Sequence, residues 1–163
     1  MEYRITIETD LVGTLVLTSD GALLTGCRFA GDSCEGLGTA RDVEPPVLTQ
    51  ARSWIARYLV GEMPDPRELP LAAPSTRFQG LVREAMLEIP YGHTSTYGAI
   101  ARWIEERTGR RASARAVGGA AGRNPIAIIV PCHRVVGADG SLTGFGGGIQ
   151  TKVRLLAHEG IRL

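Results

Sequence analysis

Residues 126–136 hold a thiol next to an imidazole, at Cys132 and His133. A cysteine becomes a strong nucleophile when a neighbouring base or cation favours its thiolate. The competing interpretation is a core position, because lone cysteines are usually buried as small apolar residues. Pro131, which has no N–H to donate, and the apolar run that ends at Val130 favour an activated thiol at the end of a rigid element. Because adjacent side chains seldom point the same way, we expect the two groups to communicate through a water or a third group.

The totals describe an ordinary globular chain. Its 163 residues are 44% apolar and 21% charged, and no apolar run is long enough to span a bilayer. The first residues alternate like a strand and not like a signal peptide, so we expect a cytoplasmic protein with no membrane partner. Three cysteines at irregular spacing, Cys27, Cys34 and Cys132, argue against a disulfide framework. No CxxC motif or paired His accompanies them, so we expect no metal and no cofactor.

Charge is distributed unevenly along the chain. Residues 1–75 carry six Arg and eleven acidic residues, a net charge of −5. Residues 76–163 carry twelve basic and six acidic residues, a net charge of +6. The basic half contains Cys132, and we expect its partner to be anionic.

An α+β fold is predicted, with a small antiparallel sheet first and helices after it. Apolar residues alternate over 3–7, and β-favouring runs follow at 11–17 and 23–29. Between these two runs, Asp20-Gly21 is typical of a hairpin turn. Helical periodicity over 47–59 predicts a helix that covers one face of the sheet.

A proline-rich segment divides the chain. Four prolines between 63 and 76 are incompatible with a helix or a central strand, so we place the domain boundary there. Residues 1–72 form a sheet-plus-helix domain with a ribonuclease-H-like outline, and residues 73–163 form a mostly helical domain. Residues 31–46, rich in Gly and acidic residues, are predicted to be a surface loop.

Helices dominate the second domain. Apolar spacing predicts helices over 78–89, from 97 to about 109, and over 149–157, and 114–122 is a further helix made almost entirely of Ala and Gly. The helix that ends near Gly109 and the helix over 114–122 are joined by the short basic turn 110–113 and have the outline of a helix-turn-helix. In the last helix the apolar residues fall on one face, so we expect Lys152 and Arg154 on the outer side.

Two adjacent glycines in the Ala-Gly helix need an explanation. Gly118 and Gly119 each disfavour a helix by about 1 kcal/mol relative to Ala. Close approach to a bulky partner and tight packing against another helix explain them equally well. Six arginines in this region favour a nucleic-acid backbone as the partner. They are Arg102, Arg107, Arg110, Arg111, Arg115 and Arg123.

Residues 143–148 contain four glycines and are too glycine-rich for a regular element. Such a segment either closes over a flat ligand or connects two elements, and the composition leaves both open.

Several motifs in the C-terminal half resemble those of the O6-alkylguanine-DNA alkyltransferases, also called methylated-DNA–protein-cysteine methyltransferases. The most specific is Ile129-Val-Pro-Cys-His-Arg-Val135, preceded by Asn124-Pro125. The resemblance spans residues 78–160 and includes Ala114-Arg-Ala-Val-Gly-Gly119. It implies DNA repair by irreversible, stoichiometric transfer of the alkyl group from O6-alkylguanine to Cys132. It leaves O4-alkylthymine open as a further substrate.

The resemblance also implies roles for individual residues. His133 is expected to act on Cys132 through a bound water, and Glu159 to orient the imidazole. Tyr97 is expected to donate a hydrogen bond to guanine N3, and Asn124 to brace the active-site turn. From the sequence alone, Tyr97 on an apolar helix face is more often a core residue, so its catalytic role rests on the resemblance. Asn124 before Pro125 can end a helix and brace the turn at the same time. The expected base pocket is lined by Val135, Phe145, Gly146 and Gly147.

The implied partner is double-stranded DNA, whose damaged base is flipped out and reached from the minor groove. Arg115 resembles the residue that fills the vacated stack. The resemblance implies a monomer and leaves side-by-side binding on DNA open. The other expected DNA-binding residues are Gly98, Ala116, Gly118 and Gly119.

Two features depart from the family pattern. The segment between Tyr97 and Arg115 is a few residues longer, which predicts a longer first helix or a longer turn in the helix-turn-helix. How these residues meet the phosphates stays open. Phe145 and Gly146 stand where relatives carry Tyr and a hydroxyl residue, so hydrogen bonds to the base are lost and the preferred alkyl group stays open.

Two other functions also stay open. A lesion-binding protein of the same fold would flip the base without transfer, but such proteins replace the nucleophile, and Cys132 is present. A Cys-His acyltransferase or peptidase with an incidental helix-turn-helix would leave Arg115 and the Ala-Gly helix unexplained. Methyl transfer to Cys132 distinguishes the three functions.

Overall fold

The structure is a computed structural model that describes residues 2–31, 43–142, 145 and 147–162. The chain divides into two compact units, Met1–Ala72 with Pro125–Ile129, and Ala73–Asn124 with Val130–Leu163. Residues 32–42 of the expected surface loop, Cys34 among them, and Gly146 of the expected base pocket lie outside the described residues. Within the described ranges, no helix has the length and apolar character needed to cross a membrane.

A three-stranded antiparallel sheet forms the centre of the first unit. The Asp20 carboxylate accepts hydrogen bonds from the N–H groups of Ala22 and Leu23, at 2.9 and 2.7 Å, and so closes the turn after the second strand. The sheet predicted from the alternating pattern is confirmed. In sequential order, its strands are β1 (Tyr3–Thr9), β2 (Gly13–Ser19) and β3 (Leu24–Phe29).

One helix, α1 (Pro46–Leu59), packs against all three strands. A proline at the start of a helix costs nothing, because the first N–H groups have no partner within the helix. The buried face of α1 includes Trp54, whose indole N–H donates to the carbonyl oxygen of Asp65 at 2.9 Å. The covering helix predicted over 47–59 is confirmed.

Four helices make up most of the second unit. Thr76, Thr96 and Ser113 cap the first three, and each hydroxyl oxygen accepts a backbone N–H at 3.0–3.1 Å. These three helices pack against one another, and residues 109–113 join the second to the third as the turn of the helix-turn-helix. The helices are α2 (Arg77–Leu87), α3 (Tyr97–Thr108), α4 (Ala114–Gly122) and α5 (Ile149–His158).

Two short parallel strands that the sequence did not predict also belong to this unit. β4 (Ser95–Thr96) pairs with β5 (Val135–Val136). Strands of two residues carry no detectable periodicity, so no pattern could have predicted them. They connect the start of α3 to the segment that directly follows Arg134.

Of the two residues expected on the outer side of α5, Arg154 is exposed, but the expectation for Lys152 is wrong. Lys152 is 1% exposed and Ile149 is 54% exposed, whereas Leu155 and Leu156 are fully buried. Apolar spacing places charged residues outside by default, because a buried cation is costly unless it has a partner. Lys152 has such a partner inside the unit, and the helix face is rotated accordingly.

Candidate active site

The apolar run 126–130 is buried but is not a strand. Its first residue forms a parallel bridge with Cys27. Ile128 has a φ of 70°, and the N–H of Ile129 donates to the carbonyl oxygen of Ala127 at 2.8 Å. This is a tight turn in a conformation that β-branched residues rarely adopt. It persists only where the surroundings hold it, so the run is a constrained turn.

A second tight turn positions Cys132. Its N–H donates to the carbonyl oxygen of Val130 at 2.8 Å, around Pro131 at φ −81° and ψ 63°. This is an inverse γ-turn. A single 3-10 turn follows (Cys132–Arg134), and Cys132 is 8% exposed. The thiol is therefore held at the edge of the interior.

Asn124 supports the same turn. Its side-chain Nδ2 donates to the Val130 carbonyl oxygen at 3.0 Å, which also accepts the Cys132 N–H. The backbone N–H of Asn124, two residues after the end of α4, donates to the carbonyl oxygen of Ala121 at 3.2 Å. Asn124 thus connects the end of α4 to the nucleophile turn.

His133 and Glu159 form a buried pair across 26 residues of sequence. His133 Nε2 lies 2.5 Å from Glu159 Oε2, and the two residues are 0% and 6% exposed. Glu159 directly follows the last residue of α5, so the helix end positions the carboxylate. His133 Nδ1 is buried and has no hydrogen-bond partner among the residues that the structure describes.

Two further donors hold the second carboxylate oxygen of Glu159. Arg134 Nε donates to Oε1 at 2.7 Å, and the Gly92 N–H donates to it at 3.1 Å. Arg134 Nη1 also donates to the carbonyl oxygen of Ile89 at 2.8 Å. Gly92 has a φ of 81°, and a Cβ there would lie 3.3 Å from the Glu159 carbonyl oxygen. Neither Gly92 nor Arg134 was expected in the site from the sequence, although Arg134 directly follows Cys132 and His133.

These contacts determine the protonation of the pair. Burial alone would raise the pKa of Glu159, but hydrogen bonds from His133 and Arg134 and the positive charge of Arg134 lower it to about 2. Burial lowers the pKa of His133 below its usual value, although Glu159 opposes this. An ionised carboxylate only accepts hydrogen bonds, so the neutral imidazole carries its proton on Nε2. Nδ1 then presents a lone pair, the form that a general base needs.

The thiol itself is protonated at rest. Burial raises the pKa of Cys132, whereas the Asn124 amide and the Lys152 ammonium favour its thiolate. Burial also raises the pKa of Tyr97, and the charge of a Cys132 thiolate raises it further. Nucleophile, cation and phenol therefore influence one another electrostatically.

Lys152, the only lysine of the chain, is a residue that sequence reasoning missed. Its Nζ donates to the Val135 carbonyl oxygen at 2.5 Å and lies 5.9 Å from the ring centroids of both Tyr97 and Phe145. Burial lowers the pKa of Lys152, and a Cys132 thiolate opposes that shift. The sequence offered one signal, a single lysine three residues before the buried pair Leu155 and Leu156. The apolar spacing of the helix predicts that such a charged residue lies at the surface.

The expected DNA-binding residues lie on α3 and α4. Arg115, Ala116 and Gly119 are exposed, and Gly118 is half-buried. A Cβ at Gly118 would lie 3.7 Å from the Tyr97 ring, an ordinary contact. A Cβ at Gly119 would meet only the end of a flexible arginine side chain, at 3.9 Å. Packing among the described residues therefore does not require either glycine, which favours the close approach of a partner. Gly98 lies in the first turn of α3.

The expected base-pocket residues fall into two groups. Val135 is fully buried in β5, and its carbonyl oxygen is held by Lys152. Phe145 and Gly147 are half-buried and lie before α5, with Phe145 near the Lys152 ammonium. Across the described ranges, no three His, Cys, Asp or Glu residues are grouped so as to hold a metal ion.

Comparison with known proteins agrees with this geometry. Residues 77–161 match the family model described as 6-O-methylguanine DNA methyltransferase, DNA binding domain. The methylated-DNA–protein-cysteine methyltransferase of Mycobacterium tuberculosis is 43% identical over 159 residues, which cover 98% of this chain and 92% of that protein. The protein of the same name from Haemophilus influenzae is 41% identical over 92% of this chain and 82% of its own length.

Solved structures give the same result. The chain is similar to a variant of the Mycobacterium tuberculosis O6-methylguanine methyltransferase, with a TM-score of 0.83 and 43% identity over 98% of this chain and 93% of the other. It is also similar to the protein from that organism in complex with DNA, with a TM-score of 0.82 and 42% identity over 96% and 92% of the two chains.

Proposed function

This chain belongs to the methylated-DNA–protein-cysteine methyltransferase family, and from this premise we propose that Cys132 accepts the alkyl group from O6-alkylguanine in duplex DNA. The protein is a single-turnover enzyme that repairs DNA by alkyl transfer to one of its own cysteines. One observation carries the assignment to Cys132: the next residue, His133, forms a buried pair with an ionised Glu159.

The reaction is a displacement at the alkyl carbon. The sulfur of Cys132 donates an electron pair to that carbon, the bond from carbon to O6 breaks, and its electron pair remains on guanine. The thiol proton passes to His133, and the imidazolium, directly or through solvent, returns one proton to the guanine anion. Charge and atoms therefore balance without a cofactor. The product is a thioether, which has no leaving group that water can displace. Each molecule therefore reacts once.

Glu159 and His133 form the relay that removes the thiol proton. A neutral His133 with its proton on Nε2 accepts at Nδ1, and the ionised Glu159 stabilises the imidazolium that results. We infer that a water bridges Nδ1 and the thiol, because Nδ1 is a buried acceptor without a partner among the described residues. Proton transfer of this kind contributes about 10²–10⁴-fold to a rate.

Tyr97 and Asn124 act on the leaving base and on the nucleophile turn. Because burial raises the pKa of Tyr97, its hydroxyl stays protonated at neutral pH and can donate to guanine N3. Asn124 holds the carbonyl that accepts the Cys132 N–H, and its amide favours the thiolate. The contacts of Tyr97 and Asn124 in this chain support the roles that the family resemblance implies for them.

Lys152 is a positioning residue in this proposal. Its ammonium favours the Cys132 thiolate, and its hydrogen bond orients the carbonyl of Val135, one wall of the expected base pocket. Phe145 and Gly147 supply another wall.

The DNA approaches through α4. Arg115 fills the stack that the flipped base leaves, and the small residues behind it let the helix backbone come close to the minor groove. Flipping costs a few kcal/mol, and less for a mispaired base. Residues 73–163, with most of the positive charge, form the DNA-binding and alkyl-acceptor domain, and the acidic residues 1–72 are not the main DNA surface. The protein acts as a monomer in the cytoplasm, where its thiol stays reduced.

A single-turnover experiment tests the assignment. The protein is incubated with a duplex that contains one O6-methylguanine, and the peptide with Cys132 is examined by mass spectrometry. We expect this peptide to gain one methyl group, with one equivalent lost from the DNA and no further turnover. The matched control is Cys132→Ser, which should bind the duplex and leave the lesion in place.

Three outcomes contradict the assignment. Tight binding without transfer indicates a lesion-binding protein. Methylation at another residue moves the acceptor away from Cys132. Repeated ester hydrolysis without DNA indicates a Cys-His hydrolase.

A further inference from the structure

A cleft in the second unit has an apolar floor and a basic rim. Its volume is about 230 Å³. Phe78 and Leu81 on α2 are half-exposed there instead of fully buried, and Ile104 on α3 completes the floor. The rim consists of the exposed side chains of Arg77, Arg110 and Arg111.

The turn that carries two of these arginines is held in place. Gly109 ends α3 with a φ of 68°, and the Thr108 hydroxyl accepts the Arg110 N–H at 3.2 Å. The Glu105 carboxylate accepts the Ala112 N–H at 2.9 Å. These contacts hold Arg110 and Arg111 on a defined turn between α3 and α4.

The three rim guanidiniums are available to a partner. Among the described residues, none of them forms an ion pair or a side-chain hydrogen bond with a carboxylate. Arg107, a few residues earlier on α3, differs: it lies 3.6 Å from Glu88 and 4.0 Å from the centroid of the Trp103 ring. The chain thus neutralises one arginine of this region and leaves the rim charged.

The cleft continues to α4. A second cavity of about 580 Å³ shares Phe78 and Arg111 with the first and reaches Ala116, the residue after Arg115. Glu105 also lines this cavity, but its carboxylate is engaged by the turn. The basic rim and the N-terminal turn of α4 therefore border one continuous surface.

We propose that Arg77, Arg110 and Arg111 bind the sugar–phosphate backbone of the duplex beside the minor-groove site of α4, which extends the DNA footprint of this chain. The assignment rests on the proposed function, since it takes duplex DNA as the partner. A nucleic-acid backbone matches both parts of the cleft: phosphates pair with guanidiniums, and deoxyribose carbons pack on the apolar floor. Contacts of this kind determine register and affinity without reading sequence.

The dependence of duplex binding on salt tests the proposal. Each phosphate contact contributes about 0.9 to the slope of log affinity against log salt concentration. The double variant Arg110→Gln/Arg111→Gln should lower that slope by about 2 and weaken binding about tenfold or more at about 0.1 M salt. The loss should be equal for undamaged and lesion-containing duplexes, and the transfer rate from free O6-benzylguanine should not change.

A matched control removes the same charge elsewhere. Arg52→Gln/Arg57→Gln also deletes two guanidiniums, but both are paired with carboxylates of the protein and lie in residues 1–72. Its salt slope should match that of the parent. A rim variant with the parent's slope, or a control with the same loss as the rim variant, overturns the proposal.

Failure of the proposed function is distinguishable from failure of this inference. If the parent protein transfers no methyl group to Cys132 but the rim variant loses salt-dependent affinity, the phosphate surface stands and the repair assignment fails. If transfer occurs and the rim variant binds like the parent, the repair assignment stands and the surface is rejected.

Discussion

Lys152 donates a hydrogen bond of 2.5 Å to the carbonyl oxygen of Val135, and this contact places the only lysine of the chain inside the site. The ammonium lies within 5.9 Å of two aromatic ring centroids and favours the thiolate of Cys132. A buried cation of this kind is costly, and it is retained here beside a thiol that burial would otherwise keep protonated.

Replacing Lys152 by Met keeps the length of the side chain and removes its charge. We expect Lys152→Met to slow single-turnover transfer about tenfold or more, because a rise of one unit in the pKa of the thiol reduces the thiolate fraction about tenfold. The loss should be equal for a duplex and for free O6-benzylguanine, and the alkaline rise of the rate should move to higher pH. Arg154→Met, exposed on the same helix, is the matched control. A Lys152→Met protein that reacts at the parent's rate would rule out the positioning role.

Glu159→Gln tests the relay. The amide cannot stabilise an imidazolium as a carboxylate does, so the rate of transfer should fall about a hundredfold or more. Rapid-quench measurement of the Cys132 thioether gives the rate, and Glu84→Gln, an exposed acid on α2, is the control. An unchanged rate in Glu159→Gln would falsify the relay.

Stability should fall in acid in two stages. The pKa of His133 is lowered in the folded protein. Below about pH 6.5 the unfolded chain therefore binds a proton that the folded chain does not bind, and the free energy of unfolding decreases as the pH falls. The pKa of Glu159 is lowered from 4.5 to about 2, so its contribution is complete above 4.5 and disappears between 4.5 and 2. This second stage amounts to about 3 kcal/mol. Urea unfolding at several pH values measures both stages, and the second should be absent in Glu159→Gln.

Arg115→Ala should separate base flipping from chemistry. Arg115 is exposed on α4 and has no place in the contacts around Cys132, so its loss should slow transfer from duplex far more than from the free base. Single-turnover rates on both substrates give the ratio, with Arg67→Ala, an exposed residue outside the DNA-binding domain, as control. Equal losses on the two substrates would reject the role in flipping.

Gly119→Ala should raise the stability of the protein and lower its affinity for duplex DNA. The position is helical and exposed, and a Cβ there meets only a flexible arginine end, so Ala should stabilise the protein by about 1 kcal/mol. The added methyl should weaken duplex binding, because it keeps the helix backbone from the minor groove. Thermal unfolding and duplex titration measure the two effects. Unchanged duplex affinity would show that the glycine serves another purpose.

The elements with strong periodicity were predictable. The alternation of β1 follows from half-buried apolar residues between exposed polar ones, and the spacing of α1 follows from one buried face. Such patterns are local. The hydroxyl caps at Thr76, Thr96 and Ser113 are also readable, because their chemistry acts within one turn. The buried face of α5 was not predictable, because the apolar pattern assumes that charged residues are exposed and Lys152 is buried.

By itself the sequence determined the chemistry that is available: a thiol next to an imidazole in a specific motif, a basic half, and an Ala-Gly helix beside Arg115. Only the tertiary structure decided which groups act together. Glu159 meets His133 across 26 residues, and Lys152 meets Val135 across 17, because α5 packs against the turn that holds Cys132. Contacts between distant residues depend on packing and on the burial of charge, and neither leaves a local pattern in the chain.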